Sequence, residues 1–278
     1  MMKIDINPIL IDLGPIRLSW YGLMYVFGFL ISYLLVRYRM KRKDFGISKS
    51  EVDDLYFYAI FGLMIGARLG YVLFYNLKMY LDNPLEIPAF WHGGMSFHGG
   101  LIGLLSVGIL FCWKNKKSFW KIADLMIVTA PIGLGLGRIG NFINGELYGR
   151  VTQVPWGMIF LKGGPLPRHP SQLYESALEG GVLFLILWFL KDKKLSAGSL
   201  LAIFLSFYGA FRFLVEFLRE PDPQLGFILG PFTMGQVLSA FMIAGGIVLL
   251  LYLKRKEHHY SKRIIKRRIK SQFTSGVR

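Results

Sequence analysis

GRIGNFINGELYGR, residues 137–150, closes an apolar stretch that is otherwise long enough to cross a bilayer. Two arginines, two asparagines and a glutamate stand here where hydrocarbon is the rule. Polar groups so placed cost on the order of several kcal/mol unless they face a partner, water or a ligand. The stretch therefore reads as the end of a membrane span that carries a site near the membrane surface.

Outward from it the same pattern recurs. The 278-residue chain is 53% hydrophobic with positive mean hydropathy, too apolar for one soluble domain and too interrupted for one anchor. Windows of about twenty mostly apolar residues fall near 18–36, 54–75, 95–113, 122–143, 173–190, 197–217 and 232–253. The expected fold is an all-α polytopic membrane protein of about seven spans. It forms one integral membrane domain, 1–253, followed by a basic tail, 254–278. The second, fourth and sixth windows are the least clean, because each holds an ionisable residue. The segment 144–172 is rich in glycine and proline, which predicts an irregular or short-stranded cap.

Charge sets the expected orientation. Lysine and arginine follow the first, third, fifth and seventh spans: Arg37–Lys49, Lys114–Lys121, Lys191–Lys194 and the tail. Positive charge beside span ends is retained in the cytoplasm, so the amino terminus is expected outside and the carboxyl terminus inside. The first apolar segment has its basic residues after it, which reads as an uncleaved span. The formal charge of +16 is partitioned by topology and accompanies no nucleic-acid module, so anionic membrane lipids, and no nucleic acid, are the expected surface partners. The single cysteine, Cys112, excludes an intrachain disulfide and reads as a packed apolar residue.

Several groups in this frame can carry chemistry. Arg68, Arg138 and Arg212 lie in or beside predicted spans, and a guanidinium fork suits a phosphate or carboxylate. Arg212 also has Glu216 one helical turn on, which reads alternatively as a structural salt bridge. His98, between Gly93–Gly94 and Gly99–Gly100 at a predicted helix start, is a general base, a donor to phosphate or a structural residue. Asn141, Asn144, Glu146, Gly149 and Arg150 complete the opening cluster, with Gly140 and Gly145 expected to turn the chain so that these side chains converge. Tyr21, otherwise an interfacial belt residue, and His169, Gln172, Tyr174 and Glu175 mark the mouths of two further spans. The sequence has no metal-ligand spacing, nucleophile elbow or Walker loop, so neither metal nor cofactor is expected.

GRIGNFINGELYGR closely resembles the signature of the bacterial prolipoprotein diacylglyceryl transferase family. SWYGLMY (19–25), GARLGYVLFYN (66–76), GGMSFHGGLIG (93–103), LPRHPSQLYE (166–175) and YGAFRFLVEFLREPD (208–222) resemble its other blocks, in the same order, over about 15–250. The resemblance implies a seven-span enzyme of the bacterial inner membrane. It would move the diacylglyceryl group of phosphatidylglycerol to the lipobox cysteine of a prolipoprotein signal peptide, releasing glycerol phosphate. The acceptor then supplies the sulfur, in keeping with a chain that shows no nucleophile of its own. By the same resemblance Arg138 and Arg212 hold the phosphate, while His98 activates the thiol or hydrogen-bonds the headgroup. Tyr21, Asn141, Glu146, Gly149 and Tyr208 belong to the shell, and Glu175 and Glu216 orient the arginines. The reading of the residues themselves adds Arg68 and Asn144 to the substrate-binding set.

Two other classes share some of these features. A transporter or anion channel also keeps arginines within broken helices, but it predicts inverted repeats and polar groups along a whole pore. A lipid-binding scaffold has no use for His98 beside a phosphate site.

Overall fold

Apolar runs of this length close their own backbone hydrogen bonds as helices, the way an open chain satisfies itself in hydrocarbon. The computed structural model describes residues 2–14, 17–221 and 226–275, with side chains except at Leu229 and 258–275. His258, His259 and the basic side chains beyond Glu257 thus lie outside the described residues. Three short strands, β1 (Met2–Ile4), β2 (Ile9–Asp12) and β3 (Arg17–Ser19), lead into α1 (Trp20–Met40), followed by α2 (Lys49–Phe74), α3 (Leu77–Asp82) and α4 (Phe97–Lys114). Next come α5 (Phe119–Ile127), α6 (Ala130–Ile143), β4 (Met158–Phe160), α7 (Ser171–Glu175), a π-helical segment Ser176–Val182 and α8 (Leu183–Leu190). The chain continues through α9 (Ser199–Glu216), β5 (Phe227–Leu229), β6 (Phe232–Thr233) and α10 (Met234–Ser275).

Among the described residues, six helical runs are long and apolar enough to span a bilayer: α1, α2, α4, Ser171–Leu190, α9 and Met234–Glu257. The seventh, expected near 122–143, is broken, with α5 and α6 meeting at a 45° bend. Pro131 explains the break. It has no N–H, and its ring would collide with the carbonyl four residues back in a continuous helix. At the break Thr129 donates its hydroxyl to Met126 O at 2.8 Å and meets the Ser32 hydroxyl at 2.7 Å.

The chain packs as two compact units, Arg37–Ile122 and Met1–Val36 with Ala123–Arg278. In the first, α2 and α4 meet along a seam of small residues, where a Cβ added at Gly66 would lie 2.8 Å from Gly103 Cα. Ser48 and Glu51 close a capping box at the start of α2. In the second unit α9 packs on α10. The buried Asp124 carboxylate accepts from the Gly198 and Leu201 N–H groups at 2.7 and 3.0 Å, satisfying amides at the start of α9 that have no intrahelical partner.

Within their own units, Phe61, Ile65 and Leu73 on α2, and Phe241 and Val248 on α10, remain exposed, apolar faces suited to lipid chains. The 144–170 connection is short-stranded, as its composition predicts. Its β4 pairs in parallel with β1, Met2 opposite Met158.

Candidate active site

The second unit gathers its charge around one carboxylate. Glu175, at the end of α7, is fully buried and receives Arg138 Nε from α6 at 2.6 Å and Arg212 Nη1 from α9 at 2.7 Å. Arg219 Nη1 stands 3.9 Å from the same side chain. Arg212 also meets Glu216 Oε2 at 2.7 Å, so the local salt bridge and the longer-range one coexist on a single fork. Glu216 is in turn fixed by the Thr233 hydroxyl at 2.9 Å, just before α10. Glu179 lies behind Arg138, whose Nη2 is 3.7 Å from Glu179 Oε2.

Helix contacts explain why these groups reach one another. α6 and the π-helical segment touch at Gly135 and Gly180, where a Cβ on Gly180 would fall 2.7 Å from Gly135 Cα. Arg138 is three residues beyond Gly135 on the same helical face, and Glu175 and Glu179 flank the contact from the other side. On α9 and just past it, Arg212, Glu216 and Arg219 follow at intervals of four and three residues, again on one face.

Such a centre is costly. Removing ions from water outweighs much of their mutual attraction, so a buried network is weak evidence for stability. Here the three guanidiniums and three carboxylates balance, yet the centre is not sealed: 19% of the Arg138 side chain is exposed. Burial, and then the neighbouring Arg212, pull the Arg219 guanidinium below its ordinary pKa.

The signature stretch folds onto this centre. Asn141 and Asn144 donate to Glu146 Oε1 at 2.9 and 3.2 Å, Gln172 Nε2 holds Glu146 O at 2.6 Å, and Ser171 Oγ holds Leu147 O at 3.0 Å. Gly145 turns the chain at φ +62° as expected. Gly140 does not: it lies inside α6, and its missing side chain makes room for the Tyr21 ring, whose Cδ2 would be 2.7 Å from a Cβ there. Gly149 is the crossing point of three segments. It donates its N–H to His169 O at 2.8 Å and bridges Arg219, while Arg150 N reaches Leu218 O at 2.8 Å. Tyr208 stacks on Phe204, their ring centroids 5.6 Å apart.

Arg68 and His98 belong to the first unit. Arg68 is buried, and its donors go to the carbonyls of Glu86, Ile87, Gly93 and Gly94. His98 stands exposed in the first turn of α4, whose start is capped by Ser96 accepting from Gly99 N at 3.2 Å. Sequence reasoning passed over Glu179 and Arg219. Their signal was spacing: a second glutamate four residues after Glu175 within one apolar span, and a second arginine two turns after Arg212.

Fold and site together define a multi-pass membrane protein with a buried centre of arginines and glutamates. The family model described as prolipoprotein diacylglyceryl transferase matches residues 8–252, and the chain belongs to that family. Curated relatives named phosphatidylglycerol–prolipoprotein diacylglyceryl transferase include one from Desulfotalea psychrophila, 55% identical over 88% of this chain and 92% of its own length. Another, from Geobacter sulfurreducens, is 51% identical over 91% of this chain and 97% of its own. A third, from Vibrio vulnificus, is 49% identical over 94% and 97%.

Proposed function

We propose that this chain moves the diacylglyceryl group of phosphatidylglycerol onto the lipobox cysteine thiol of a prolipoprotein signal peptide. In that step a C–S bond forms at the glyceryl carbon bearing the phosphate ester, the C–O bond breaks, and glycerol phosphate leaves. Two physical demands follow. A free thiol has a pKa near 8.5, so little thiolate is present at neutral pH without a base. The departing phosphate also gains a negative charge, which preorganised cations stabilise.

The observation that carries the reading is the meeting of Arg138 and Arg212, from two helices, on the single buried carboxylate Glu175. A shared anchor fixes two forks against each other and leaves further donors for a phosphate. Arg138 and Arg212 hold the headgroup phosphate, with Glu175 and Glu216 orienting them. His98 takes the thiol proton or donates to the headgroup. Tyr21, Asn141, Asn144, Glu146, Gly149 and Tyr208 form the surrounding shell. The amino terminus faces outward and the basic tail faces the cytoplasm, where anionic lipid attracts it. This orientation suits an enzyme of the bacterial inner membrane that meets its acceptor peptides on the outer side.

Reconstitution in phosphatidylglycerol vesicles with a lipobox peptide tests the proposal. The expected result is a diacylglyceryl mass shift with release of glycerol phosphate, both abolished when serine replaces the acceptor cysteine. A peptide left unmodified by the wild-type protein overturns the reading. Loss of a positioned base costs about 10²–10⁴ in rate, so near-normal turnover by His98→Gln with loss in Arg138→Ala removes the base role and leaves electrostatic catalysis.

A further inference from the structure

We infer that Arg68 is a positioning residue: its guanidinium clasps the segment 86–94 onto α2, fixes the entry to the turn that carries His98, and does not hold the headgroup. The inference rests on the transferase reading above.

Arg68 is 2% exposed. Its Nε donates to Ile87 O at 2.8 Å, Nη2 to Glu86 O at 2.6 Å, and Nη1 to Gly93 O and to Gly94 O, the latter at 3.2 Å. Four carbonyls thus surround one cation that has five N–H donors and no acceptor. They converge because Gly93 and Gly94 adopt φ +78° and +75°, a region other residues enter only under strain. The Tyr80 ring covers the guanidinium, its centroid 5.1 Å from Arg68 Cζ. A phosphate could take this arginine only by displacing its bonds to these four part-buried carbonyls.

The clasp leads directly to the histidine. Beyond Gly94, Ser96 N binds Ala67 O at 2.9 Å, one residue before Arg68, and Ser96 Oγ caps Gly99 N. His98 sits between Ser96 and Gly99. An error in the clasp therefore moves the imidazole, and misplacing a reacting group by about 1 Å costs roughly a hundredfold in rate.

The test separates turnover from lipid affinity, using the full-length protein in vesicles of varied phosphatidylglycerol fraction with a lipobox peptide. Arg68→Lys keeps the charge but loses the planar fork, so kcat should fall about a hundredfold while KM for the lipid changes by less than about twofold. Gly94→Ala keeps Arg68 itself and places a Cβ 3.1 Å from Arg68 Nη1, with the Tyr71 ring closer still. It should lower kcat in the same way. A KM raised about tenfold in Arg68→Lys with kcat kept, the signature of a lost phosphate ligand, overturns the inference. So does a wild-type kcat in Gly94→Ala. Amide hydrogen exchange over 86–100 reads the clasp independently of transfer: it should quicken in both variants, and unchanged exchange overturns the inference. If the wild-type protein transfers nothing, the transferase reading falls and the exchange result still decides the clasp.

Discussion

Glu175→Gln keeps the shape of the side chain and removes the charge on which the centre converges. In the wild type two guanidiniums lie at 2.6 and 2.7 Å from this carboxylate and a third at 3.9 Å. At an effective dielectric near 20, each pair of unit charges about 4 Å apart is worth about 4 kcal/mol, against which burial of the ions must be set. Removing one member of a buried ion pair typically costs about 3–5 kcal/mol, because the remaining charge is left without compensation. Here Arg138 loses its nearest carboxylate, whereas Arg212 keeps Glu216 and Glu179 stays near Arg138, so about 3 kcal/mol is the better figure. For a chain of this size that lowers the midpoint of thermal unfolding in detergent by roughly 6–10 °C. Turnover should fall further than stability explains, on the order of a hundredfold at temperatures where the variant is folded, since the two forks proposed to hold the phosphate lose their common reference. Thermal melts and vesicle transfer assays on the same preparation check both numbers. A variant with an unchanged melting point and near-normal turnover refutes the role of Glu175 as the shared anchor.

Arg212→Lys keeps the charge but cannot bridge Glu175 and Glu216 with two separate nitrogens, so kcat/KM should drop at least tenfold, read in the same vesicle assay. Gly149→Ala places a Cβ 2.6 Å from His169 Cβ and 2.8 Å from His169 O; overpacking of this kind costs about 1–3 kcal/mol, seen as a lower melting point. Burial lowers the pKa of His169, so the unfolded chain takes up this proton before the folded one does. Its contribution is intact above about pH 6.5 and is lost as the pH falls from there through the folded value. Melting points should therefore decline on acidification below about pH 6.5 more steeply in the wild type than in His169→Gln.

Much of the architecture was legible in local pattern. Span positions follow from apolar runs, because a helix in hydrocarbon needs only its own sequence to satisfy its backbone. The 45° break between α5 and α6 was not expected, although Pro131 marks it, because the apolar run continues through the break. Arg212 and Glu216 could be paired from their spacing, since four residues make one turn. Gly145 was readable as a turn, whereas Gly140 was misread as one: the Tyr21 ring that it accommodates lies 119 positions away in sequence.

The sequence alone determined the membrane spans, the polar ends of those spans and the residue types available for binding an anion, because each depends on neighbours within a turn or two. Tertiary structure decided which carboxylate each arginine meets. Arg138 and Arg212 share Glu175 because Gly135 and Gly180 let two helices approach backbone to backbone, a distance no local periodicity encodes. The same holds for Arg68, whose partners are main-chain carbonyls brought into range by the path of a loop and not by its side chains.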